Sequence, residues 1–158
     1  MKSPVIRVAA LAAMGSILAT AAPAQAPSVM GTWLVQSGAA QIRLQPCADP
    51  ASGPLCGYIA ALIKPVGPDG KEVSPDQATD FRNPDPALRS RKVIGSPVLW
   101  GFSRTSDPNA FEGGTIYSGE NGKTYTANVN LQPDGTLRLR GYVGLPMFGE
   151  TQVWTRVP

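Results

Sequence analysis

Thr124-Tyr125-Thr126-Ala127-Asn128-Val129-Asn130-Leu131 is followed by Gln132-Pro133-Asp134-Gly135 and then by Thr136-Leu137-Arg138-Leu139-Arg140-Gly141-Tyr142-Val143. In the first run Tyr125, Ala127, Val129 and Leu131 share one face of an extended chain, and Thr124, Thr126, Asn128 and Asn130 share the other. In the second run Leu137, Leu139, Gly141 and Val143 oppose Arg138, Arg140 and Tyr142. Asp134-Gly135 between them tolerates the positive φ that a tight hairpin requires. Two half-buried strands joined by such a turn are the repeat unit of an antiparallel meander.

The same reading extends outward. Asn121-Gly122 joins Gly114–Ser118 to the first run, and earlier alternating stretches occupy Gly31–Gln36, Gln41–Gln45, Gly57–Lys64 and Val98–Arg104. Gln152–Val157 is the last. About eight strands with short connections and no long amphipathic helix predict an all-β fold, an antiparallel up-and-down β-barrel, because closure removes the exposed edges. One segment interrupts the meander. Lys64 to Pro97 is rich in Pro, Gly and Asp. Pro84 and Pro86 fit the opening of a short helix through about Lys92, with Asn83 or Asp85 as its N-cap. Phe81, Leu88, Val93 and Ile94 give this stretch packing groups, so an ordered strap is expected.

Composition limits the chemistry. The chain has 158 residues, one domain's worth, and no histidine. That excludes Ser-His-Asp and Cys-His triads, histidine metal sites and an imidazole base. Residues 1–24 read as a signal peptide: Lys2 and Arg7 precede an apolar, Ala-rich stretch from Val8 to Ala22, and Ala22 and Ala24 frame an A-x-A cleavage site. The uncharged run is about 15 residues, short of the ~20 that span a bilayer. The expected product is a single domain over 25–158, periplasmic or secreted, with no transmembrane segment. Residues 1–24 hold two basic and no acidic residues, so the remainder carries 12 Lys+Arg against 11 Asp+Glu, a net of +1. A nucleic-acid partner is therefore not expected. In an oxidising compartment Cys47 and Cys56, flanking a turn-forming stretch, are expected to form a disulfide rather than a redox pair.

Gly31-Thr32-Trp33 opens the first strand and Trp154-Thr155-Arg156 closes the last. This resembles the lipocalin and wider calycin pattern, in which an indole plugs the closed end of the barrel and a late arginine packs over it. The resemblance gives Gly31, Trp33 and Arg156 structural roles. A second resemblance covers nearly all of 25–158. It rests on Ile42-Arg43-Leu44 before Cys47, Leu55-Cys56-Gly57-Tyr58-Ile59, Asp80-x-x-Asn83-Pro84-Asp85-x-x-Leu88-Arg89 and Gly95-x-Pro97-Val98-Leu99. It continues through Gly113-Gly114-Thr115-Ile116-Tyr117, Gly122-Lys123-Thr124-Tyr125, Leu137-x-x-Arg140-Gly141-Tyr142 and Phe148-Gly149-x-Thr151-Gln152-x-Trp154-Thr155-Arg156. In these elements the chain resembles the bacterial family of domain of unknown function 2147. The resemblance implies an exported, lipocalin-like domain and brings no activity with it.

The candidate ligand-binding residues follow from chemistry. Asp80, Asn83, Asp85 and Arg89 are the densest polar cluster; they either bind a polar headgroup, Arg89 pairing an anion, or cap turns and pin the strap. Tyr58, Trp100, Phe102, Tyr117 and Tyr125 lie on expected strands and either line a cavity or fill a closed core. Arg138 and Arg140 face solvent or an anionic ligand inside. No metal site, cofactor or catalytic residue is expected. The leading expectation is a carrier for a small apolar or amphipathic ligand, gated by the 64–97 strap. An envelope interaction module with a filled core, touching a protein partner through the strap and the Leu145–Phe148 tip, is the alternative. A hydrolase using Asp80 or Asp85 as base comes third.

Overall fold

A computed structural model of the chain describes residues 28–158. The expected signal segment, 1–24, lies outside the described residues. Among the described residues nine strands follow one another: β1 (Gly31–Leu34), β2 (Ala40–Gln45), β3 (Cys56–Leu62), β4 (Pro97–Trp100), β5 (Ser103–Arg104), β6 (Ala110–Ser118), β7 (Lys123–Leu131), β8 (Leu137–Tyr142) and β9 (Glu150–Arg156). Every pairing is antiparallel. Trp33 opposite Arg156 joins β1 to β9, and Leu99 opposite Ile116 joins β4 to β6. Eight strands thus close a ring, and β5 is a two-residue spur on β6.

Alternation fixes the inside. Ile42 and Leu44 on β2, Ala127, Val129 and Leu131 on β7, and Leu137 and Leu139 on β8 are buried, while Arg43, Asn130 and Arg138 are exposed. Where parity changes, a bulge is present. One on β6 between Phe111 and Gly114 places Gly113 at a φ of 67°, and the Asn128 side chain closes it by accepting from the Gly113 N–H at 3.0 Å.

Two expected elements differ. The stretch Val98–Arg104 is not one strand. Gly101, at a φ of 76°, breaks it and donates its N–H to the Ser52 carbonyl at 2.8 Å. The helix expected from Pro84 to Lys92 is a single 3-10 turn, Pro86–Leu88, which Asp85 caps by accepting from the Ala87 N–H at 2.9 Å. The backbone beyond it is committed elsewhere. Asp80 donates to the Arg91 carbonyl at 3.0 Å and Val93 donates to the Ala78 carbonyl at 3.1 Å, so 78–80 pairs with 91–93 instead of letting a helix continue.

The connections define two ends. At one lie residues 28–30, the β2–β3 loop, the β4–β6 connection and the last residues. Trp33 is fully buried there, its indole N–H donating to the Val29 carbonyl at 2.8 Å, with the Arg156 guanidinium 4.2 Å from the ring centre. Arg156 also donates to the carbonyls of Met30 and Ser28. Gly31 has a φ of 132°, and any side chain there would strike that guanidinium. The Gly-x-Trp…Arg pattern is therefore one interlocked closure. The Cys47–Cys56 disulfide, Cα atoms 4.9 Å apart, staples the β2–β3 loop at the same end.

Candidate functional site

At the opposite end the β1–β2 loop, the β6–β7 turn and the 63–96 strap surround a cavity of about 370 Å³, and the β8–β9 loop lies at the same end outside its lining. Ile42, Ile59, Leu62, Val98 and Ile116 supply apolar walls from four strands, and Trp154 lies between the cavity and the closed-end core. The Trp154 indole is buried and donates to Gln152 Oε1 at 2.9 Å, so the floor presents no unsatisfied donor. Ala78, Phe81, Arg82, Arg91 and Val93 of the strap cover the opening.

One carboxylate pins the strap to the barrel. Asp80 is 5% exposed. Its Oδ1 accepts from the Tyr117 hydroxyl on β6 at 2.6 Å, across a sequence separation of 37. Its Oδ2 accepts from Asn83 Nδ2 at 2.7 Å and pairs with the Arg91 guanidinium at 2.9 Å. Burial, then the hydrogen bond and charge of Asp80, push the Tyr117 phenol from 10.0 up to about 12. Tyr117 therefore stays protonated and keeps donating at any ordinary pH. A second anchor lies beside it, where the β6–β7 turn packs so closely on the strap that a side chain on Gly122 would collide with the Arg82 carbonyl.

The model of a bacterial family described as "Uncharacterized protein conserved in bacteria (DUF2147)" matches residues 31–156. The chain belongs to the DUF2147 family. Among solved structures it is similar to protein HP1028 from the human pathogen Helicobacter pylori, described as belonging to the lipocalin family. The two chains share 22% identity with a TM-score of 0.67, over 84% of this chain and 85% of the other. That likeness shows a lipocalin-like fold. A comparison with curated proteins finds no match.

In this DUF2147 barrel the candidate residues separate. Asp80 and Tyr117 reach the cavity wall, joined to each other. Asn83 stands behind Asp80, and Arg89 steadies it from outside, donating from Nε to the Asn83 carbonyl at 2.8 Å. Both brace the strap from within, and neither lines the cavity. Tyr58 opposes the exposed Arg43 and Pro97, and Trp100 opposes Thr115, so both aromatics lie on the outer face. Phe102 is buried against Gly114 toward the closed end. Tyr125 is half-buried at the rim, where its hydroxyl accepts from Asn121 Nδ2 at 2.9 Å. Arg140 sits under the β8–β9 loop, away from the cavity lining. The residues not foreseen are Arg91, Val93, Trp154 and the aliphatic walls. Ile42, Ile59 and Val98 carried only the signal of lying on expected strands, Val93 that of a packing group in the strap and Trp154 that of the closing motif, and Arg91 carried none.

Proposed function

We propose that this barrel is an exported carrier that holds a small, partly apolar ligand in the open-end cavity. The observation that carries the reading is the cavity itself, whose volume falls within the range of small-molecule sites and whose walls are mostly apolar. An ordered strap over the mouth supports it further, because a pinned cover excludes water without blocking passage once its pins part. The core fills the closed half, and the open half is left for an occupant. The polar groups Asp80, Tyr117 and Arg91 orient the polar end of such a ligand, and the aliphatic wall takes the rest.

The geometry favours binding over hydrolysis. Asp80 is occupied on both oxygens and Asp85 spends Oδ1 on the Ala87 N–H, which supports binding over a carboxylate base. Titration with the apolar fluorophore N-phenylnaphthylamine tests the proposal. Saturable, one-to-one binding that the cavity-filling variant Val98→Trp abolishes is the expected result. A folded wild-type chain that binds no probe overturns it. N-terminal sequencing of protein recovered from the periplasm, starting at Gln25, checks the export component.

A further inference from the structure

The seven residues from Val143 to Gly149 carry no polar side chain. Val143, Leu145, Met147 and Phe148 are 73%, 59%, 72% and 78% exposed, whereas the other exposed large apolar residues among those described lie between 37% and 43%. A loop of this composition ordinarily folds back onto the nearest apolar surface. Here it is held out. Arg140 donates from Nε to the Pro146 carbonyl at 2.6 Å, from Nη2 to the Met147 carbonyl at 3.2 Å and from Nη1 to Thr151 Oγ1 at 2.8 Å. The 3-10 turn Pro146–Phe148 closes with Phe148 N–H to the Leu145 carbonyl and Gly149 N–H to the Pro146 carbonyl, each at 3.1 Å. At its foot a side chain on Gly149 would strike the Gly141 carbonyl, which fixes the loop against β8.

The consequence is a tip whose carbonyls at Leu145, Pro146 and Met147 are satisfied from within while its side chains face out. A specific protein interface uses polar groups for register, about one hydrogen bond per 100–200 Å². This tip offers no side-chain donor or acceptor for that purpose. Hydrocarbon makes no such demand and penalises only unsatisfied backbone, which the Arg140 bracket reduces.

Charge on the neighbouring segments fits the same surface. Arg82, Arg89 and Lys92 of the strap and Lys123 at the start of β7 are exposed, and none forms an ion pair among the described residues. The Arg82 carbonyl packs under Gly122, next to Lys123, and Thr126 of the same strand opposes Tyr142, which precedes the tip. Among residues 81–92 of the strap, the β6–β7 turn and the start of β9, the acidic groups are Asp85, which caps its own turn, Glu120 and Glu150. Elsewhere in the strap Asp69, Glu72, Asp76 and Asp80 stand against Lys64, Lys71 and Arg91, with Asp69 paired to Lys71 and Asp80 to Arg91. Tyr142 supplies the kind of aromatic that settles at headgroup depth.

We propose that the open end docks on a bilayer bearing anionic headgroups. The 143–149 loop enters the acyl region, and the basic groups of the strap and β7 lie at headgroup level. The cavity mouth then faces the membrane, so an amphipathic molecule moves between lipid and barrel without crossing bulk water. Docking does not require the cavity to be loaded and stands apart from the carrier reading.

Vesicle flotation tests it, using the chain from Gln25 onward, which holds every described strand. The vesicles are phosphatidylcholine alone or phosphatidylcholine with phosphatidylglycerol. The wild-type chain is expected to float with the anionic vesicles, and less at high salt. Met147→Ser with Phe148→Ser is expected to lower binding about tenfold or more at an unchanged Tm. Arg82→Gln with Lys123→Gln is expected to lower the anionic preference by about fivefold for each charge removed. If the double serine variant melts early, Val143→Asp serves in its place. A wild-type chain that stays off both vesicle types overturns the proposal, as does a folded tip variant that floats like wild type. Crosslinking of the tip to one envelope protein, with no flotation, overturns it in favour of a protein partner.

Discussion

The two ends of the barrel are made from the same alternating strands and differ in what finishes them. The closed end is finished by apolar packing around Trp33, with Arg156 laid over the indole and a disulfide across the adjoining loop. The open end is finished by polar pins, in which one buried carboxylate of the strap bonds to Tyr117 of the barrel and knits the strap to itself through Asn83 and Arg91. Apolar packing tolerates little change, since removing volume leaves a void that the neighbours fill only in part. Polar pins are directional and break singly. On the proposed carrier reading, this arrangement assigns stability to the closed end and opening to the strap end.

Substitutions at the two ends test that division. Trp33→Ala is predicted to have the largest effect, a loss of about 3–5 kcal/mol in denaturant unfolding, because it empties a fully buried indole site and strands Arg156. Replacing Cys47 and Cys56 together by serine is predicted to cost about 2.5–3 kcal/mol at most, read from the same titration. Probe affinity in the cavity should be unchanged in the disulfide-free protein while it remains folded. An equal fall in affinity would show that the ends are coupled.

Asp80→Asn is predicted to cost less, about 1–3 kcal/mol, since Arg91 loses its charge partner but remains partly solvated. Its signature is local. Hydrogen exchange should speed at the amides of Asn83 and Val93 while the closed-end strands keep their protection. Uniform acceleration would mean that the strap is not a separate unit.

The smallest effect is the alkaline one. Tyr117 ionises near 10.0 in the unfolded chain and at about 12 in the folded one, so the protonated form is favoured by folding. Its contribution is complete below pH 10 and is lost as the pH rises toward 12. Thermal melts across that interval should show the decline, and Tyr117→Phe should flatten it.

Much of this molecule was legible in its sequence. The alternation in 124–142 gave the β7–β8 hairpin, because side-chain period is local physics, although Val143 falls outside β8 and is exposed. The closed end came from the lipocalin-like pattern of Gly31, Trp33 and Arg156. Which aromatics face inward was not legible. Tyr58 alternates with the buried Gly57 and Ile59, while extra residues on β3, β4 and β6, together with the bend at Gly101, reset the parity of the strands around Trp100 and Phe102. Arg91 was missed for a different reason. It meets Asp80 only because 78–80 pairs with 91–93, a long-range contact that no local spacing encodes.

The central claim is that the open end holds a ligand and the closed end does not. Amide NMR titration with N-phenylnaphthylamine tests it most directly. Saturable shifts confined to the neighbourhood of Ile59, Ala78, Val93 and Ile116, with Trp33 and Leu137 unmoved, are the predicted result. A folded protein with no saturable shifts, or with shifts centred on Trp33, would contradict it.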